Sequence, residues 1–206
     1  MDNTSQIYDS IVIGGGPAGL TAAIALALTG ARTALLARRA PYADNRTTAL
    51  LGASTDLLER LDVWPRCRDK AAALQTMRLV DDTGRLIRAP EVRFSSDEIG
   101  LEQFGYNIDN RSLIAALEDR AAELSNLTRH DDEAASIDPH DAEVSITTTQ
   151  GQSLSARLVI GADGRQSPSR SAAGISVKRR DLQQSATAAR PRRSPVAPTA
   201  IGPVWW

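Results

Sequence analysis

The stretch Ile11-Val12-Ile13-Gly14-Gly15-Gly16-Pro17-Ala18-Gly19-Leu20 decides the fold. Ile7 to Ile13 is a short, apolar, β-branched run ending at glycine, the pattern of a buried strand. Pro17 to Thr29 is rich in Ala and Leu, opens on proline in its first turn and closes on Gly30, so it reads as a helix. Thr33 to Leu36 reads as a second buried strand. Strand, glycine turn, helix, strand is a βαβ unit on a parallel sheet, and the fold class is α/β.

Within that unit the glycines fall as Gly14-x-Gly16-x-x-Gly19. Gly14 permits the tight turn, Gly16 lets the backbone approach a pyrophosphate, and Gly19 lets helix pack on strand. Pro17 and Ala18 lie between them at the helix start, where free N–H groups and the positive end of the dipole favour an anion. The flanking strand, helix and second strand supply the context that a dinucleotide site requires.

Further outward the pattern departs from expectation. An acid is expected near the end of the second strand, to hold the adenosine ribose, and Ala37 stands there. Arg38 and Arg39 follow. They read either as an NADP site meeting a ribose phosphate or as solvated loop residues. In Asp44-Asn45-Arg46-Thr47-Thr48-Ala49-Leu50, Arg46 is placed to reach back over the pyrophosphate with its planar fork. A surface arginine beside a helix cap is the competing reading. Gly161-Ala162-Asp163-Gly164-Arg165-x-Ser167-x-x-Arg170 follows Leu158-Val159-Ile160, read as a buried strand. Such a turn can set Asp163 and Gly164 at the mouth of the sheet; an ordinary Asp-Gly turn is the plainer alternative.

Between these motifs, Arg38 to Arg46 reads as a loop and Ala49 to Leu61 as a helix with Leu50, Leu57, Leu58 and Leu61 on one face. Leu74 to Val80 and Arg85 to Ala89 flank Asp82-Thr83-Gly84 as a hairpin. Ser112 to Leu124 is amphipathic, with Leu113, Leu117, Ala121 and Leu124 in line and Asn110 or Asp109 to cap it. Ala142 to Thr149 and Ser153 to Leu158 form a hairpin around Gln150-Gly151-Gln152. His130 and His140 sit among acids, but their spacing matches no tight metal-ligand pattern, and a solvated loop between strands is expected. Cys67 reads as an inert thiol, and Tyr106 as a core aromatic or a neighbour of a ring system.

The chain has 206 residues, a net charge of -1 and one cysteine. No global field attracts nucleic acid, and no intramolecular disulfide can form. The run from Ile11 to Leu28 is too broken by glycine and proline for a membrane span, and no signal peptide is visible, so a cytoplasmic chain is expected. Four of the ten prolines fall between Pro191 and Pro203, and Thr187 to Trp206 reads as a disordered Arg/Pro-rich tail.

Taken together, these residues resemble the flavin-dependent aromatic hydroxylases, the group-A flavoprotein monooxygenases. The motifs are Gly14 to Gly19, the DxRxxAL segment with Arg46, and the Asp-Gly motif at Asp163, in the family's order. Phe104 to Arg111 and Ser54 to Trp64 look like the UbiH/UbiF-type branch of ubiquinone biosynthesis. The resemblance covers residues 7 to about 186.

It implies a Rossmann-like FAD-binding domain over 1–180, with β-hairpin insertions that begin a substrate domain. FAD would lie with its pyrophosphate at the turn, Arg46 alongside, Arg111 toward the flavin, and Asp163 holding the cofactor; Arg38, after the second strand, is a further candidate cofactor residue. NAD(P)H would be co-substrate, O2 the oxidant, and a polyprenylated phenol the substrate, with contact at the inner-membrane surface. The family's third motif is missing, so a truncated or frame-shifted chain, incomplete at the C-terminus and inactive alone, is expected. An NADP-binding reductase fragment and an inactive nucleotide-binding remnant or partner protein are the alternatives.

Overall fold

The structure, a computed structural model, describes residues 6–39, 46–81, 86 and 88–180. It divides into two compact units, 1–72 with 105–177, and 73–104 with 178–206. Asp44, Asn45, the turn Asp82-Thr83-Gly84, Arg85 and the tail 187–206 lie outside the described residues.

In the first unit the chain runs β1 (Gln6–Ile13), α1 (Pro17–Leu28), β2 (Thr33–Leu36), β3 (Thr47–Leu51) and α2 (Gly52–Arg60). Short 3-10 turns at Trp64–Arg66 and Arg68–Lys70 follow, and β4 (Ala72–Leu74) leads out of the unit. The second unit contributes β5 (Thr76–Leu79) and β6 (Val92–Ser95). The chain then returns through β7 (Gly105–Asp109), α3 (Asn110–Ala122), β8 (Leu127–His130), β9 (Ala134–Pro139), β10 (Val144–Thr148), β11 (Ser153–Gly161) and α4 (Pro168–Ala172).

The main sheet has the order β8-β2-β1-β11-β10-β9. β1 pairs in parallel with both β2 and β11, β2 with β8, and the β9–β10–β11 edge is antiparallel. The βαβ reading therefore holds, with β2 falling on the expected residues. Side chains alternate across β1. Val12 joins Leu20, Ile24, Leu35, Leu113 and Leu117 in a core beneath the helices, while Ile11 and Ile13 join Leu36, Ile146 and Leu154 on the opposite face. This two-sided burial is why the strand reads as a continuous apolar run.

Several readings need correction. The helix expected over Ala49 to Leu61 begins only at Gly52, because Thr47–Leu51 pairs antiparallel with β7 and places Leu50 opposite Tyr106. The four leucines accordingly share no face: Leu58 and Leu61 are buried, while Leu57 is exposed. The partner of β5 is Val92–Ser95 rather than Arg85 to Ala89, because Met77 meets Phe94 and Leu79 meets Val92 across the ribbon. Leu158, expected inside, is 48% exposed; the covered part of β11 is Leu154 to Ala156.

The helix expected at Ser112 spans Asn110–Ala122, and its cap is Asp109, whose carboxylate accepts the Ser112 N–H at 2.9 Å. Of the two histidines, His140 is an exposed hairpin residue. His130, by contrast, ends a strand, and its Nε2 lies 2.9 Å from the Tyr8 hydroxyl. The solvated-loop expectation fails for His130 because β8 pairs along β2 and carries the imidazole against buried Tyr8.

Candidate cofactor site

Two turns meet at the carboxyl ends of β1 and β11. Ile13 is the register partner of Gly161, and the Ala162 N–H donates to the Ile13 carbonyl at 2.7 Å. The turn after β1 and the turn after β11 are thus bound together by backbone. From β1 the chain crosses to β2 on one side, while β11 fills the other. A reversal of this kind leaves a crevice outside the strand ends, where open α/β sheets take their ligands.

The glycines suit that crevice in three different ways. A β-carbon on Gly14 would overlap the Ala162 carbonyl and lie 2.9 Å from the Asp163 nitrogen, and its φ of +118° is itself hostile to a side chain. A β-carbon on Gly19 would overlap the Gly14 carbonyl, so α1 sits directly against the turn. Around Gly16 no described residue comes within 4 Å of such a carbon. Gly16 caps α1 without a side-chain acceptor, Pro17 fills the first helical position, and no acidic residue occupies the first turn. The helix therefore presents its N–H groups beside open space, as an anion requires.

Asp163 stands at the same mouth. Its Oδ2 accepts the Ser169 N–H at 2.9 Å, while Oδ1 is buried with no donor among the described residues. Burial pushes the carboxyl up, but the serines at 167 and 169 pull it down by more, so it stays below the ordinary carboxylate range. A charged acceptor with an open valence fits a ligand rich in hydroxyl groups. Ser167 caps α4, accepting the Arg170 N–H at 3.0 Å, and Gly164, at φ +80°, turns the chain toward it.

The predicted arginines lie in two places. Arg46 lies just before β3, beside the start of α3, where its carbonyl accepts the N–H of Asn110, the residue before Arg111, at 3.1 Å. Both are exposed, Arg111 in the first turn of α3. Arg38 and Arg39 lie beyond β2 and are tied to Glu133 at 3.1 Å and Asp131 at 3.2 Å. That pairing leaves little free charge for a ribose phosphate. Tyr106 is a core aromatic, 5.0 Å from the Trp64 ring centre. Cys67 is buried, its Sγ lies 3.6 Å from the Val63 carbonyl oxygen, and burial pushes its thiol up.

Two contributors were missed in the sequence. Ala162 touches both Gly14 and Gly19, and its place inside the Asp-Gly motif was the available signal. Arg129 stands beside Gly15 and Ala37, which only the pairing of β8 with β2 could reveal.

The FAD binding domain family model matches residues 8–194. The chain belongs to this FAD-binding domain family. FAD is the family's cofactor, and the glycine turn, the open helix end and the orphaned Asp163 oxygen fit it.

Ubiquinone hydroxylase UbiL of Rhodospirillum rubrum is 29% identical over 191 residues, covering 89% of this chain and 43% of that protein. The 3-demethoxyubiquinol 3-hydroxylase of Escherichia coli is 31% identical over 195 residues, covering 88% and 48%. The resemblance to the UbiH/UbiF-type branch is thereby borne out. The chain spans less than half the length of these relatives. Among solved structures, the OxyS anhydrotetracycline hydroxylase of Streptomyces rimosus superposes with a TM-score of 0.70 at 23% identity, over 85% of this chain and 35% of its own. The flavin-dependent monooxygenase PieE, solved with FAD and substrate, gives 0.68 at 22% identity, over 82% and 32%. Both support the Rossmann-like FAD-binding fold.

Proposed function

We propose that this chain is the FAD-binding portion of a monooxygenase that hydroxylates an aromatic intermediate of ubiquinone biosynthesis, a polyprenylated phenol, with NAD(P)H and O2. The observation that carries the proposal is the joined pair of turns at Ile13–Ala162, a seat for an extended dinucleotide, in a chain whose relatives bear ubiquinone hydroxylase names.

Each residue then has a task. Gly14 and Gly19 clear backbone space, and Gly16, Pro17 and Ala18 open the helix N-terminus to the pyrophosphate. Arg46 supplies a guanidinium for phosphate oxygens, with Arg111 toward the flavin and Arg38 after β2. Asp163 accepts from a cofactor hydroxyl, and Gly164 lets the turn bend there. When bound, FAD supplies the redox chemistry between NAD(P)H, O2 and the ring; the protein orients it and excludes water.

A polyprenyl tail would bring the site to a lipid surface. No helix among the described residues is long and apolar enough to cross a membrane, so the contact proposed is peripheral. Residues 1–180 carry the FAD site and the beginning of a substrate unit in this proposal.

The test is the visible absorption spectrum of the purified chain with added FAD. A bound-flavin spectrum supports the proposal. A folded chain that leaves all its FAD in the filtrate overturns it.

A further inference from the structure

We infer that Arg129 reads the adenosine end of the cofactor, in place of the acid that the end of β2 lacks. The assignment rests on the FAD reading above.

Ala37 is 6% exposed, and its side chain is aimed at the middle of the glycine turn: a β-carbon on Gly15 would lie 2.8 Å from the Ala37 β-carbon. Any longer side chain at 37 would project along that turn. The ground it would cover is held by Arg129, whose Nη2 lies 3.7 Å from the same point on Gly15 and 3.4 Å from the Ala37 carbonyl oxygen. A guanidinium thus stands where a carboxylate was expected.

The neighbouring strand puts it there. Arg129 is the register partner of Leu35, and the Ala37 N–H continues the ladder to the His130 carbonyl at 3.0 Å. Its side chain is 18% exposed and fixed at two corners: Nε donates to Asp131 at 2.7 Å and Nη1 to Glu118 at 3.2 Å. Among the described residues Nη2 makes only the long bond to Ala37, so it keeps donor capacity on the side of the glycine turn. Two carboxylates anchor the fork and the third corner is left for a ligand.

The chemistry follows from the exchange. A ribose hydroxyl can donate to an acid or accept from a guanidinium, so either residue can read it. Three arginines gather here, Arg38, Arg39 and Arg129, and each has a carboxylate partner: Glu133, Asp131 and Glu118, with Asp131 shared between Arg39 and Arg129. Three positive charges against three negative give no net attraction for an extra ribose phosphate. The ligand end that fits is the unphosphorylated adenosine of FAD.

The test compares FAD with FMN, which lacks the adenosine, on the full chain and its R129M and R129K variants. Dissociation constants are read from flavin fluorescence. R129M is expected to weaken FAD by on the order of tenfold, the scale of one charged hydrogen bond, with FMN affinity unmoved; R129K should fall between. If R129M does not fold, R129K decides alone by the same comparison. Unchanged FAD affinity, or FAD and FMN weakening together as a merely structural residue would cause, overturns the assignment. A parent chain that binds neither flavin overturns the FAD reading, and the assignment with it.

Discussion

Gly14 and Ala162 meet so closely that the first has no room for a β-carbon: it would overlap the carbonyl of the second. A glycine in one motif is therefore required by the backbone of another, far along the chain. G14A is expected to lower stability by about 2 kcal/mol or more, from overlap and from the φ of +118° together. G16A meets open space and should leave the melting temperature nearly unchanged while weakening flavin binding. Thermal melts with FAD titrations check both; equal melting temperatures for the two variants would refute the distinction.

Leu154 and Leu158 lie on the same strand with opposite fates, one fully buried and the other 48% exposed. L154A should cost about 2–5 kcal/mol, whereas L158A should stay within about 1 kcal/mol of the parent. Urea unfolding measures both. Similar losses would mean that Leu158 is covered in solution.

Asp132 governs an acid-sensitive turn. It accepts from the Thr149 hydroxyl, from the Gln150 N–H at 3.0 Å and from the Glu133 N–H at 2.7 Å. Burial pushes its carboxyl up, but these donors and Thr148 pull it well below the ordinary range. The stability it contributes is fully present above the unfolded value of about 4 and is lost as pH falls through the folded value. D132N should lower stability at neutral pH and flatten the acid limb of the stability curve. An unaltered acid limb would show that the turn does not titrate there.

The pairs around Glu123 offer a test by salt. Glu123 accepts from Arg66 at 2.7 and 2.9 Å and from Arg120 at 2.9 Å, and hydrogen bonds from these guanidiniums hold its carboxyl below the usual range. E123Q should lower the melting temperature modestly, and the difference should shrink as salt rises, since the pairs are exposed. A difference independent of salt would point to packing instead.

How much of this was legible in the sequence depended on how local the cause was. The glycine turn, α1 and β2 declare themselves because both faces of the sheet are covered and the helix carries its own end signals. β3 was misread because Ala49, Leu50 and Leu51 suit a helix by composition. Their pairing with Gly105 to Asn107 is a tertiary fact that overrides propensity. Asp163 is marked in the sequence by its motif, but Arg129 carries no local mark. Its place beside Ala37 comes from which strand lies next to β2, and no spacing along the chain encodes that.

The pairing of β1 with β11 also bears on the order of events during synthesis. Ile13 finds its partner only when Gly161 has left the ribosome, long after α1 and β2 could have formed. Until then one side of β1 is an unpaired edge with its hydrogen-bonding groups bare, and the seat at Gly14 is missing a wall. A nascent chain with β1, α1 and β2 complete would therefore carry the most recognisable motif without the means to hold a cofactor, and would offer its open edge to chaperones or to other chains.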